Sequence, residues 1–360
     1  MTDERAPPAR VHGGLDARLL LARGIEPGSV VDFSVNLNPY GPCAPVLEAA
    51  RGAALHVYPD ATAHVARTAW AEALGCTREH VAVGHGAADL FWAIARAVIA
   101  GRPRVVIAEP TFSEFRVAAE AAGAEVEPVR AFGVQAGRLD LEALAQASRG
   151  AAALYLCSPN NPTGEHVPLT AVRALAQALP HTIIVLDQSF LALSDHAREL
   201  GDVLSAHALP DNVVRVRSLT KEFVCPGLRI GVCVGAPALI RRVEAMRPTW
   251  ATSSPALAAL AVAAREHGFV SASWQRMRAD REAVTTLLRA RGFVPRASDT
   301  SYQLVPLQRE APLFCERMQR AGIQLRDCTS FGLPRHVRIA ALPEPARARL
   351  SQALDVVGSA

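Results

Sequence analysis

The feature that most restricts the fold is an alternation along the middle of the chain, where short β-branched apolar runs are separated by longer alanine-rich segments of helical period. The runs occupy 80–84 (HVAVG), 104–108 (RVVIA), 152–157 (AALYLC), 182–187 (TIIVLD), 213–218 (VVRVRS) and 229–234 (RIGVCV). Most are continuously apolar, as in strands covered by helices on both faces. The expected architecture is therefore α/β, a large and mostly parallel sheet sandwiched by helices. From about Arg247 the pattern changes to long helical stretches, short strands around SYQLVPL and HVRIAAL, and a closing helix, which predicts a smaller α+β domain. The expected division is an N-terminal segment, 1–41, packed with the small domain, a large domain over 42–246 and a small domain over 247–360.

Composition narrows the function classes. A 360-residue chain that is 50% hydrophobic and 20% charged can bury a substantial core. The formal charge of +4 is spread without a basic run, which favours small anionic ligands over nucleic acid. Seven cysteines without a C-x-x-C pair give neither a zinc signature nor a disulfide framework, so a cytoplasmic, reducing location is expected and no metal. The opening MTDERAPPARVHGG has no apolar core of a signal peptide, and runs such as PALAALAVAA are too short to cross a bilayer.

Ligands of open α/β sheets bind at the carboxyl ends of the strands, so the residues that follow each run carry the information. After 80–84 comes GHGAADLF, where Gly86 opens a helix that aims the backbone N–H groups of Ala87 and Ala88 outward, either as an anion site or as an ordinary tight turn. SPNNPTG, with Asn161, follows the third run, and the fourth ends on Asp187. The fifth leads into Ser218, Thr220 and Lys221, with Arg229 eight residues beyond Lys221. Singly, each has a bland explanation: a strand-end Asp is often a helix cap and a lone lysine is often solvated. Together they converge on one sheet edge. Lys221 is the single lysine of a chain with 37 arginines. A primary amine condenses with an aldehyde, which a guanidinium, charged at any useful pH, does not.

SPNNPTG, the strand-end Asp and S-x-T-K-x(7)-R, in this order, resemble the fold-type I pyridoxal phosphate enzymes, the class I and II aminotransferases and their relatives. The resemblance covers most of the chain. It implies pyridoxal phosphate as cofactor, with Lys221 forming a Schiff base to it, Asp187 pairing with the pyridine nitrogen and Asn161 bonding the ring hydroxyl. It also implies phosphate contacts from Gly86, Ala87, Ala88, Ser218, Thr220 and Arg229, and stacking of Phe112 on the ring. Tyr58 would reach the phosphate of a neighbouring subunit, which implies a homodimer with shared active sites. Arg326 and Arg338 match positions that bind substrate anions, and His12 and Asn38 are expected to line the same pocket.

Two branches compete. NLNPYGP and YPD suit histidinol-phosphate aminotransferases, whereas HGG (12–14), DFSVNLNP (32–39), PGLRIG, PTW (248–250) and GIQLRDCTSFGL resemble L-threonine-O-3-phosphate decarboxylase, which leads by likeness. A cofactor-binding protein without catalysis is the minor alternative. Three departures stand out: Gln188 and Ser189 where the family usually has D-E-A-[FY], His85 where the branch often has Asn, and Leu342 where decarboxylase-like chains often carry a second arginine. The last weakens the case for a doubly anionic substrate.

Overall fold

The computed structural model describes residues 13–101, 103–133, 139–197 and 209–358. Among the described residues, twelve strands, in chain order, are β1 (Val31–Asp32), β2 (Val81–His85), β3 (Arg104–Glu109), β4 (Glu125–Arg130), β5 (Ala153–Cys157), β6 (Ile183–Asp187), β7 (Val213–Ser218), β8 (Ile230–Val234), β9 (Tyr302–Pro306), β10 (Ile323–Gln324), β11 (Arg326–Asp327) and β12 (His336–Ala340). β2 to β8 form one seven-stranded sheet in the order β2-β8-β7-β6-β5-β3-β4. All neighbouring pairs are parallel except those made by β8, which runs antiparallel to both β2 and β7.

The six apolar runs all become strands, within one or two residues of the expected limits. β4 was not expected, because EVEPVR has no apolar run. It is one of the sheet's two edge strands and largely exposed, where charges and Pro128 protect an open edge from further pairing. The central strands β5 and β7 are buried along their whole length, between apolar clusters on both faces.

The C-terminal layer is the antiparallel sheet β11-β12-β9 with helices Ala311–Arg320 and Glu344–Val357. Its apolar cluster takes in Phe33 from the N-terminal segment, and β1 pairs in parallel with β10. The changeover between cores does not fall at Arg247. Helix Ser254–Ala263 buries Ala256, Ala259 and Leu260 in the cluster of Val46, Trp70 and Val83, and that cluster runs on to Met277. Only from Val284, two turns further along the long helix His267–Arg289, do side chains join the C-terminal core. The helical period gave no sign of this, since one continuous helix serves both cores.

Candidate functional site

β7 ends at Ser218, and a single helical turn, Leu219–Glu222, carries Lys221. That turn is clamped. Arg217 donates to both carboxylate oxygens of Glu222 at 3.1 Å, below the surface and 5.4 Å from the Trp70 ring centroid. Removing one partner from such a buried pair costs about 3–5 kcal/mol. Asn38 completes the clamp: its backbone N–H donates to the Lys221 carbonyl at 3.1 Å and its side-chain amide to the Glu222 carbonyl at 3.0 Å. Asn38 is therefore not a cavity-lining residue, as the sequence suggested. It is 0% exposed, and its amide is spent on the lysine turn. Burial draws the Lys221 ammonium below the ordinary lysine range, opposed by the charge of Asp187, so a larger share of the amine is neutral than in a free lysine.

Lys221 faces a cavity of about 450 Å³ at the carboxyl ends of β5, β6 and β7. Asp187 lines it from the end of β6, with both oxygens fixed: Tyr155 Oη donates to Oδ2 and the Ser189 backbone N–H to Oδ1, each at 2.9 Å. Burial and the neighbouring carboxylate push the Tyr155 phenol well above its usual range, which keeps it a donor. Ser189 also lines the cavity, and its Oγ accepts from the Ser218 N–H at 3.3 Å.

The opposite wall is an anion cradle. Helix Gly86–Ile99 begins without a side-chain cap, and Ala87 and Ala88 of its first turn line the cavity with Ser218, Thr220 and Arg229. The Ser218 and Thr220 hydroxyls lie 2.9 Å apart. Gly86 has φ +79°, a left-handed conformation that favours glycine, and the Arg229 guanidinium packs close over it, 2.8 Å from where a Cβ would stand. Gly231 allows the same approach from beneath, since its Cβ would meet the Ala87 nitrogen at 2.7 Å. His85 is exposed beside this turn; its backbone N–H donates to Asp89, which Arg247 also grips at 2.9 Å.

The far end of the cavity carries two guanidiniums. Arg326 and Arg338 stand directly opposite each other across β11 and β12, both 5% exposed and both lining the cavity. Arg338 donates to Asn161 Oδ1 and to the Ser34 carbonyl, and with the Asn36 amide oxygen turned toward it, Asn36 accepts at 3.2 and 3.3 Å. Arg326 donates to Ser330 Oγ at 2.7 Å and lies over Phe331. Burial lowers both guanidiniums, Arg338 to about 10. Like charges placed opposite in a ladder repel, and an anion between them relieves the repulsion.

The residues fit the pyridoxal phosphate that the sequence resemblance implies. A capless helix start, two hydroxyls and a guanidinium packed over a left-handed glycine suit a phosphate. A carboxylate with two fixed oxygens suits a ring nitrogen, and Phe112 and Asn161 line the intervening space. Tyr58 lies elsewhere, 77% exposed on the surface and stacked on Trp250 at 4.4 Å. His12 lies outside the described residues. Leu342 packs against the C-terminal core. The sequence reading missed Tyr155, Ser189, Ser34, Asn36, Ser330 and Phe331; Tyr155 sits inside an apolar run, where an aromatic reads as core.

A family model for class I and II aminotransferases matches residues 28–357. The histidinol-phosphate aminotransferase of Methanopyrus kandleri is 30% identical over 338 residues, 88% of this chain and 85% of the relative. The crystal structure of histidinol-phosphate aminotransferase from Sinorhizobium meliloti, in complex with pyridoxal-5'-phosphate, superposes with a TM-score of 0.83 at 26% identity, covering 99% of this chain and 98% of that one. L-threonine-O-3-phosphate decarboxylase from Porphyromonas gingivalis gives 0.77 at 24% identity, over 90% and 98% of the two chains, which shows the fold alone. The order of the two branches is thereby reversed: the short stretches that favoured the decarboxylase are outweighed by likeness to aminotransferases over most of the chain.

Proposed function

The chain belongs to the class I and II aminotransferase family, and within it we propose an enzyme that uses pyridoxal phosphate to transfer the amino group of a small anionic amino phosphate or amino acid to a 2-keto acid. Histidinol phosphate, named for the relatives, is the first candidate substrate. The observation that carries this reading is the pair Arg326 and Arg338, held opposite each other in the cavity that Lys221 faces.

When bound, pyridoxal phosphate supplies an aldehyde for amines and a ring that draws electron density from the substrate's Cα. The other tasks fall to the chain's side chains. Ala87, Ala88, Ser218, Thr220 and Arg229, which line the cavity, would hold the phosphate, Asp187 would keep a proton on the ring nitrogen, and Phe112 would cover a ring face. Lys221 Nζ, which faces the cavity, would hold and move a proton at the substrate's Cα. The orientation of the substrate would select the reaction, and the anion anchor would set that orientation. Asn161, the partner of the ring hydroxyl, accepts from Arg338, so anchor and ring partner form one unit. Arg326 and Arg338 would hold a substrate anion at this unit, and where they hold it would decide which bond at Cα breaks.

The test uses holoenzyme with histidinol phosphate and 2-oxoglutarate. Glutamate formation that requires the keto acid supports the proposal. Carbon dioxide released from O-phospho-L-threonine without a keto acid would move the enzyme to the decarboxylase branch.

Tyr155 is proposed to position Asp187. In Tyr155→Phe a neutral donor to a buried carboxylate is lost, worth about 1.5–3 kcal/mol or about 10- to 100-fold in turnover. The pH midpoint of the bound cofactor's absorbance should move with it. A spectral titration identical to wild type would remove the assignment.

A homodimer is proposed from the exposed apolar side chains Leu55, Val57, Tyr58 and Val65, with Trp250 beside Tyr58. Sedimentation of the holoenzyme as a monomer would contradict it. A cytoplasmic location accords with seven cysteines that are all free, and no helix among the described residues is long and apolar enough to cross a membrane.

A further inference from the structure

SPNNPTG holds two adjacent asparagines, and the fold gives them different surroundings. Asn161 lines the catalytic cavity, whereas Asn160 is 0% exposed and does not line it. A buried amide is costly unless its groups are paired, and here they are. Nδ2 donates to the Pro110 carbonyl and to Thr163 Oγ1, and Oδ1 accepts from Thr111 Oγ1, each at 2.9 Å. The backbone is used as well: the Asn160 N–H donates to the Glu165 carbonyl at 2.8 Å, and the Asn160 carbonyl accepts from the Gly164 N–H at 2.7 Å and from Tyr302 Oη at 2.9 Å.

The amide can take only one orientation. The Pro110 carbonyl only accepts, so the nitrogen must face it, and the oxygen is left facing Thr111, whose hydroxyl must donate. Thr111 immediately precedes Phe112, and Asn160 immediately precedes Asn161. One buried side chain therefore ties the loop after β3 to the loop after β5. Phe112 and Asn161, which line the cavity at the expected face and hydroxyl of the cofactor ring, project from these two tied loops.

A third connection reaches the C-terminal layer. Tyr302 begins β9, which pairs with β12, the strand of Arg338, and Arg338 in turn donates to Asn161 Oδ1. Burial pushes the Tyr302 phenol well above its usual range, which keeps it a donor to the carbonyl of the peptide that joins Asn160 to Asn161. The backbone from which the Asn161 side chain projects is thus fixed from both the large sheet and the C-terminal layer.

We propose that Asn160 is a positioning residue of the catalytic site, which sets Phe112 and Asn161 relative to each other and so holds the cofactor ring without touching it, a role that rests on pyridoxal phosphate occupying the cavity.

The test is a spectral titration of the holoenzyme, because the pH midpoint of the bound cofactor's absorbance responds to the groups bonded to its ring and needs no amino transfer. Asn160→Ala removes all three side-chain bonds. Two milder variants keep the test open if that one does not fold: Thr111→Val removes the donor to Oδ1, and Tyr302→Phe the donor to the Asn160 carbonyl. Each of these two should shift the midpoint by about half a unit to one unit, the size of one lost hydrogen bond. The rate constant kcat should fall about 2- to 10-fold, with the cofactor still reducible by borohydride onto Lys221. In an Asn161→Ala background the same changes should no longer move the midpoint, since they act through Asn161. Lower melting temperatures with wild-type spectral midpoints, or shifts of full size in the Asn161→Ala background, would overturn the positioning role alone. Wild-type protein that takes up no cofactor would overturn it together with the cofactor reading.

Discussion

Lys221→Arg is expected to purify as a folded protein that holds no cofactor reducible by borohydride onto the chain. The positive charge at the turn survives this change, as do the Arg217–Glu222 clamp and both Asn38 bonds, because these use the backbone and neighbouring side chains and not the lysine amine. What disappears is a nitrogen able to lose its proton and form a covalent bond. The proton-transfer share of the loss alone is worth about 10² to 10⁴ in rate, and absence of the covalent link adds to it. Mass spectrometry after borohydride treatment, with circular dichroism for folding, checks the expectation. A cofactor-sized mass increment at residue 221 of the variant would refute the role given to Lys221. The lowered ammonium also fixes the sign of a pH effect. Cofactor uptake by the apoenzyme requires the neutral amine, so its rate should rise with pH and level off below the ordinary lysine value. A rise continuing unchanged past pH 10.5 would show that burial has not depressed this group.

Arg338→Ala is expected to spare the cofactor and destroy turnover. Arg338 touches none of the residues of the phosphate cradle, and the groups it binds are Asn161, Asn36 and the Ser34 carbonyl. Losing one partner of a buried charge pair costs about 2–5 kcal/mol, so kcat/KM for an anionic amino substrate should fall about 30- to several thousandfold. Cofactor affinity, followed by absorbance, should change by less than about tenfold. Equal losses of both would place Arg338 in the cofactor's support and not at the substrate. Arg326→Ala makes a useful comparison: with Arg326 gone, the cross-strand repulsion that an anion now relieves is gone too, so part of the lost attraction is returned.

Much of the candidate cofactor site could be read from the sequence because its signals are local. Gly86 before a helical run, Asp187 at the end of an apolar strand, and Ser218, Thr220 and Lys221 after another each follow from position on a strand and from the chemistry of the residue. The substrate end was less legible. Asn36 and Asn38 lie two residues apart in an irregular segment, and nothing local says that one faces Arg338 while the other ties down the lysine turn. Tyr155 was hidden because an aromatic in a buried strand reads as core, and only the adjacency of β5 and β6 brings its hydroxyl to Asp187. β4 was invisible because an edge strand needs charge, not an apolar run.

Periodicity and residue type in the chain by themselves settled the α/β class, the six main strands and the place of the single lysine, since each depends on a few adjacent residues. The tertiary structure alone decided which arginines face each other, which carboxylate Tyr155 fixes, that helix His267–Arg289 serves two cores, and that Asn160 ties the loops after β3 and β5 together. Those depend on contacts between residues tens to hundreds of positions apart, and the pattern along a strand or helix says which face is apolar without saying what will cover it.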